Sequence, residues 1–245
     1  MNKTVYVMGP FNTGTNLMEN IINNCNCVNL ETLTSIEAKY KDVWKHTLNY
    51  SELTKIVKDG IVIIMYKNVY NWLNSVYKNK YDIKVGSIND PVYLNDKIYI
   101  NNKVFFKKCK FSNIIEIHNY YYCMYKKLIT NNNNVIFIDY GKIIDKSSAF
   151  EYINSKLIAN NICIVSKEKL INTLDTPSNT HGINVQTSDS AINSYDTNKI
   201  KWLNIVVHKS KISASLNHTI IDFFEKKEEN EYRNQNNEET VAICL

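Results

Sequence analysis

Residues 9–16, GPFNTGTN, carry two glycines that bracket four residues, with Thr15 and Asn16 directly after the second. An apolar run, VYVM at residues 5–8, precedes them, and a segment with Leu17, Ile21 and Ile22 at helical spacing follows. Strand, tight polar loop and helix in that order make a cradle for phosphate or sulfate. The first N–H groups of a helix lack intrahelical partners and carry the positive end of its dipole, so an anion is stabilised there. The spacing is that of a Walker A loop, but Thr15 and Asn16 stand where that motif has Lys and then Ser or Thr. That difference disfavours an ordinary ATP or GTP hydrolase. Other groups with chemistry suited to an anion are Lys45 and His46 in DVWKHTL, Lys67 and Ser75 in YKNVYNWLNS, and His181 and Gly182 in the hydroxyl-rich loop TPSNTHG.

Each group has an element to carry it. Residues 5–8 read as a buried parallel strand. Residues 27–30 suggest a second short strand, and residues 42–48 a further strand that delivers Lys45 and His46 to its carboxyl end. Ligands of open parallel sheets bind outside those ends, so both side chains are expected in the same crevice as the loop. Residues 51–59 form a short helix with Ser51 as N-cap and Gly60 as its stop. IVIIM, residues 61–65, is the most apolar and β-branched run and reads as the central strand. Lys67 closes it, and the next helix sets Trp72, Leu73, Val76 and Tyr77 on its apolar positions, with Ser75 placed to meet the same anion as Lys67.

Further on, residues 80–113 are rich in Lys and Asn, with alternation over residues 92–100 that suggests a hairpin or lid, and form a candidate substrate wall. Residues 114–129 repeat Ile114, Ile117, Tyr121, Met124, Tyr125 and Leu128 at three- and four-residue steps, a helix whose aromatic stripe reads as core. VIFID, residues 135–139, is another buried strand with Tyr140, Gly141 and Lys142 at its carboxyl end. Residues 148–157 and 167–174 read as helices and residues 162–165 as a short strand, while residues 199–208 and 215–226 also carry apolar residues at helical spacing. The expected fold class is α/β, one domain over residues 1–226, followed by a charged, disordered tail over residues 227–245.

Composition narrows the setting. With 44% hydrophobic and 22% charged residues over 245, the chain is an ordinary globular one. A net charge of +5, dispersed along the chain, does not argue for a nucleic-acid partner. No apolar run approaches the roughly 18 residues of a membrane span, and the first strand starts within four residues of the N-terminus, so no membrane partner, signal peptide or anchor is expected. The cysteines (Cys25, Cys27, Cys109, Cys123, Cys163, Cys244) form neither a C-x-x-C pair nor a zinc spacing, which points to reduced thiols and a cytoplasmic setting. Arg233 is the sole arginine among 29 Lys and Arg residues, so a site that elsewhere uses Arg is expected to use Lys here.

Taken together, these segments resemble the sulfotransferase family, P-loop-like α/β enzymes that move a sulfuryl group from 3′-phosphoadenosine 5′-phosphosulfate (PAPS) to a hydroxyl or amine. GPFNTGTN is similar to the family's 5′-phosphosulfate loop at Thr13, Gly14 and Thr15, with Asn16 next. IVIIMYKNVYNWLNSVYK resembles its 3′-phosphate segment, Lys67 matching an Arg, Asn68 an Asp or Asn, and Ser75 a Ser, while Val69 stands where Pro is usual. WKHT resembles the strand end that presents Lys and His near the transferring sulfur, and IIEIHNYYYCMYKKL and VIFIDYGKI its aromatic helix and following strand. The match runs from about residue 5 to residue 142, and PSNTHG, with His181 and Gly182, resembles a late loop that closes on the 3′-phosphate. Asn12 departs from the pattern, since the donor loop usually has Lys or Arg there.

The resemblance implies a parallel sheet flanked by helices on both faces, in three layers, with PAPS as co-substrate and no metal. Sulfuryl transfer is an in-line displacement, so catalysis is positioning and charge stabilisation. The amides of residues 9–16 and the Thr15 hydroxyl would meet the 5′-phosphate and sulfuryl oxygens, with Asn12, Thr13, Gly14 and Asn16 completing the loop. Lys45 would meet charge on the bridging oxygen, and His46 is the candidate general base, having an ordinary pKa near 6.5; Glu31 and Glu37 are the next candidates. Small-molecule, glycan and peptide acceptors all remain open. Two other readings keep the fold: a nucleotide-binding protein without turnover, and a small-molecule P-loop kinase, disfavoured by Thr15 and by the lack of an Asp after IVIIM.

Overall fold

Side chains alternate across a strand, so a strand buried along its whole length must feed two cores at once. The computed structural model describes residues 3–24, 30–33, 36, 40, 43–78, 83–84, 98–100, 109–111, 114–163, 165–176, 220–224 and 226, and the strands at residues 3–8, 61–66 and 135–139 do this. Strand β1 (Lys3–Met8) leads into helix α1 (Thr15–Asn24), then β2 (Leu30–Leu33), α2 (Tyr50–Asp59), β3 (Ile61–Tyr66) and α3 (Val69–Lys78). Strands β4 (Ile83–Lys84), β5 (Ile98–Ile100) and β6 (Cys109–Phe111) make a small antiparallel sheet, followed by α4 (Ile114–Asn131), β7 (Val135–Asp139), α5 (Tyr140–Ile144), α6 (Ala149–Ala159) and α7 (Lys167–Asp175).

The main sheet is parallel, in the order β2-β1-β3-β7, and the class is α/β as expected. On one face Tyr6, Met8, Val62, Ile64, Tyr66 and Phe137 pack with Leu53 and Ile56 of α2, Trp72 and Val76 of α3, and Ile117, Tyr121 and Leu128 of α4. Val5, Val7, Ile63, Met65 and Ile138 point the other way, onto Met18 and Ile22 of α1, Ile153 of α6 and Leu170 of α7. Phe224, in the helical residues 220–224, closes the first cluster by stacking on Tyr66 at 5.5 Å.

This arrangement decides where a ligand can sit. Strands β1 and β3 pair with Met8 opposite Ile64, so their carboxyl ends lie side by side. Helix α1 leaves β1 toward one core, whereas α3 leaves β3 toward the other. Adjacent parallel strands whose connections diverge in this way open a crevice at their carboxyl ends.

Several expected elements differ. Residues 43–49 form no strand: both flanks of β1 are taken, by β2 and β3, and the segment closes on itself with Thr47 N–H donating to Trp44 O at 2.9 Å. The second strand is Leu30–Leu33, with residues 27–29 outside the described residues. The N-cap of α2 is Asn49, not Ser51, because Asn49 Oδ1 accepts from Ser51 N–H at 3.1 Å. The Asn49 side-chain amide also donates to Glu52 Oε1 at 3.1 Å, and its backbone N–H to Thr47 Oγ1 at 3.1 Å. Residues 162, 163 and 165 form no strand, since Asn154 Oδ1 takes the Val165 N–H at 2.6 Å and leaves no ladder to build. The expected lid region contributes β4 to β6, with its remaining residues outside those described. Residues 199–208 and the tail, 227–245, also lie outside them.

Candidate functional site

The loop after β1 is held by its own polar groups. Thr13 is fully buried and its hydroxyl donates to Pro10 O at 2.6 Å, so that side chain shapes the loop and does not face a ligand as the resemblance implies. Asn12 has φ +62° and Gly14 φ +86°, both left-handed. Asparagine tolerates that region and glycine adopts it freely. Gly14 also has no room for a Cβ, which would stand 2.4 Å from Cδ2 of Tyr140. Its carbonyl accepts from Met18 N–H at 3.0 Å, so α1 starts directly at the loop and aims its first amides at the crevice. Thr15 and Asn16 are the first two residues of that helix, Thr15 buried and Asn16 partly so.

Lys45 and His46 reach the loop without a strand. Gly9 N–H donates to Lys45 O at 3.2 Å, and His46 Nδ1 lies 2.6 Å from Gly9 O, so the dipeptide uses both backbone groups of Gly9. The Gly9 amide is therefore unavailable to a ligand. A carbonyl only accepts, so Nδ1 of His46 carries the hydrogen and Nε2 the lone pair. The Lys45 ammonium donates to Asn16 Oδ1 and, at 2.9 Å, to Glu19 Oε2. His46 does not keep the ordinary pKa expected of a base: burial pushes it down to about 3, with Lys45 adding to the depression and the Gly9 carbonyl opposing it.

Lys67 and Ser75 are brought together. Strand β3 ends at Tyr66, and the Lys67 ammonium, on a residue 5% exposed, donates to Ser75 Oγ at 2.7 Å and to Asn12 O at 3.2 Å. It also stands 4.1 Å from the centroid of the Tyr140 ring, within cation–π range. The Lys67 ammonium thus reaches the backbone of the loop after β1 from the end of β3. No protein family and no curated protein matches the chain. What the site does must come from this geometry.

Sequence alone marks the aromatic stripe of α4 as core, and it is core, but it also holds the site. Tyr121 donates to His46 O at 2.6 Å, while the next residue, Tyr122, accepts from Lys67 N–H at 3.2 Å. Trp72 of α3 donates from Nε1 to Phe11 O at 2.8 Å, tying the loop to a third element. The only advance signal is the run of tyrosines, whose hydroxyls need partners when buried. His118, one turn before Tyr122, is buried, which pushes it too down to about 3, with a hydrogen bond to the Lys67 backbone opposing that shift.

His181, Gly182 and Glu37 lie outside the described residues, and Glu31 lies within β2. Among the described residues no helix is long and apolar enough to cross a membrane. The assembled site is a helix N-terminus with two ammonium groups beside it, held by buried tyrosine and tryptophan side chains. Such a site can bind an anion with two negative groups and stabilise charge developing between them.

Proposed function

We propose that this chain is a PAPS-dependent sulfotransferase with a P-loop-like, three-layer α/β fold. The observation that carries the reading is the Lys67–Ser75 hydrogen bond of 2.7 Å at the same crevice as the loop after β1. It supports a 3′-phosphate held by that pair while the first turn of α1 holds the 5′-phosphosulfate. The acceptor oxygen would form a bond to sulfur as the bond from sulfur to the bridging oxygen breaks, leaving 3′,5′-ADP, with Lys45 meeting charge on the departing phosphate.

The acceptor proton is the point where His46 enters. Its Nε2 lone pair is oriented by the Gly9 carbonyl, but a base held at about 3 takes a proton only from a strongly acidified hydroxyl. In a loose transfer the acceptor acidifies as it bonds to sulfur, so His46 would accept the proton late. The depressed basicity of His46 and the neutral Asn12 favour a second reading, a protein that binds the nucleotide without turnover. A cytoplasmic setting belongs to the same proposal and is supported by the exposed free thiol of Cys123.

Incubation with PAPS labelled at sulfur and a panel of sugar, peptide and small-alcohol acceptors separates the two. Label transfer to any acceptor supports the enzyme. Tight binding of 3′,5′-ADP with no transfer across the panel supports the second reading.

A further inference from the structure

A lysine on a turn keeps its four-carbon stem mobile unless something holds the ammonium. Lys45 is held by two acceptors on a single helix: its ammonium donates to Asn16 Oδ1 and to Glu19 Oε2, the latter at 2.9 Å. Asn16 and Glu19 are three residues apart on α1 and so share a face. The Lys45 and Glu19 side chains are only 16% and 20% exposed, a setting in which a charge pair is weakly screened. The backbone is tied as well, since the Lys45 carbonyl accepts from Gly9. Lys45 therefore spans the loop, bonded to the residue that begins it and to the helix that ends it.

In Coulomb terms alone, a carboxylate beside an anion cradle is unfavourable, because it repels the incoming ligand. Its presence makes sense where the placement of Lys45 matters more than the local net charge. A lysine–glutamate pair serves that end in protein kinases, where it sets the phosphate-binding lysine. We infer that Glu19 is a positioning residue of this site, gripping Lys45 so that its ammonium already stands at the first turn of α1 when an anionic ligand arrives. The inference rests on the sulfotransferase reading only for the identity of that ligand.

The test uses the full chain and its Glu19→Gln variant, which keeps the shape and removes the charge, with circular dichroism to confirm that both fold. Trace labelling with acetic anhydride, read by mass spectrometry against the exposed Lys55 as internal standard, reports how firmly the Lys45 amine is held. The grip predicts that Lys45 labels several-fold faster in the variant; equal rates overturn it. Titration with 3′,5′-ADP gives the second readout. Removing a negative charge should tighten binding if only Coulomb repulsion operates, whereas loss of the grip weakens it, by roughly 3- to 10-fold for one newly mobile side chain. Equal or tighter binding by the variant overturns the inference. If 3′,5′-ADP binds neither protein, the sulfotransferase reading fails, and the labelling comparison still decides the grip by itself.

Discussion

The Lys67 ammonium lies 2.7 Å from Ser75 Oγ, eight residues further along the chain, and 4.1 Å from the centre of the Tyr140 ring at the end of a neighbouring strand. Three elements thus fix one positive charge: the end of β3, the second turn of α3 and the residue after β7. Ser75→Ala removes one of them without emptying the core. It should weaken 3′,5′-ADP binding by about 5- to 10-fold, a hydrogen bond's typical net worth of about 1 kcal/mol, and leave AMP binding unchanged, as measured by calorimetric titration.

Tyr121 and Tyr120 are adjacent on α4 but have different work. Tyr121→Phe leaves the buried His46 carbonyl without its 2.6 Å donor and should cost about 1–3 kcal/mol in urea unfolding. Tyr120 is 48% exposed, and its hydroxyl stands 3.4 Å from Leu48 O. Tyr120→Phe should therefore stay within about 0.5 kcal/mol. Equal losses for the two variants would contradict the assignment of Tyr121 to holding the site.

The loop after β1 depends on backbone conformation more than on side-chain charge. Gly14→Ala combines a left-handed φ of +86° with a Cβ driven against Tyr140, and should cost more than about 2 kcal/mol. Asn12→Gly suits φ +62° and should change stability by only a few tenths of a kcal/mol, whereas Asn12→Val should cost about 1–2 kcal/mol. Thermal unfolding of the three variants checks the order.

Acid should destabilise the protein well above the carboxylate range. His46 and His118 are both held near 3 by burial, against an ordinary 6.5 in the unfolded chain. Below 6.5 the unfolded state binds more protons, so stability is full above that pH and is lost as pH falls toward 3. The slope approaches about 1.4 kcal/mol per pH unit for each histidine. His118→Leu removes one of the two, so it should halve the slope and lose less stability than the parent between pH 7 and pH 5. Stability unchanged from pH 7 to pH 5 would contradict this account.

Local pattern made part of this legible. The strands around Val7, Ile63 and Phe137 are continuous apolar runs, and the Lys67–Ser75 pair follows from a strand end plus eight residues of chain. Lys45 and His46 were expected at the loop for a reason that fails. They arrive through reciprocal bonds with Gly9 and not along a strand, and tertiary backbone bonds of that kind leave no periodicity to read. The grip of Glu19 on Lys45 and the hydroxyl contacts of Tyr121 and Tyr122 join residues that are far apart in the chain. The depressed basicity of His46 is equally a product of burial, which no single residue type reveals. Asn49 carries a local signal of its own, an Asn three residues before Glu52 at the start of an amphipathic helix.

The central claim is that Lys67 and Ser75 hold a 3′-phosphate. Calorimetric titration of the full chain with 3′,5′-ADP and with AMP, repeated on Lys67→Met, tests it most directly, because the ligands differ only in that phosphate. A charge-assisted contact worth about 1.5–3 kcal/mol predicts 3′,5′-ADP binding about 10- to 100-fold tighter than AMP, and near-equal affinities in the variant. Equal affinities of the parent protein for the two nucleotides would contradict the account.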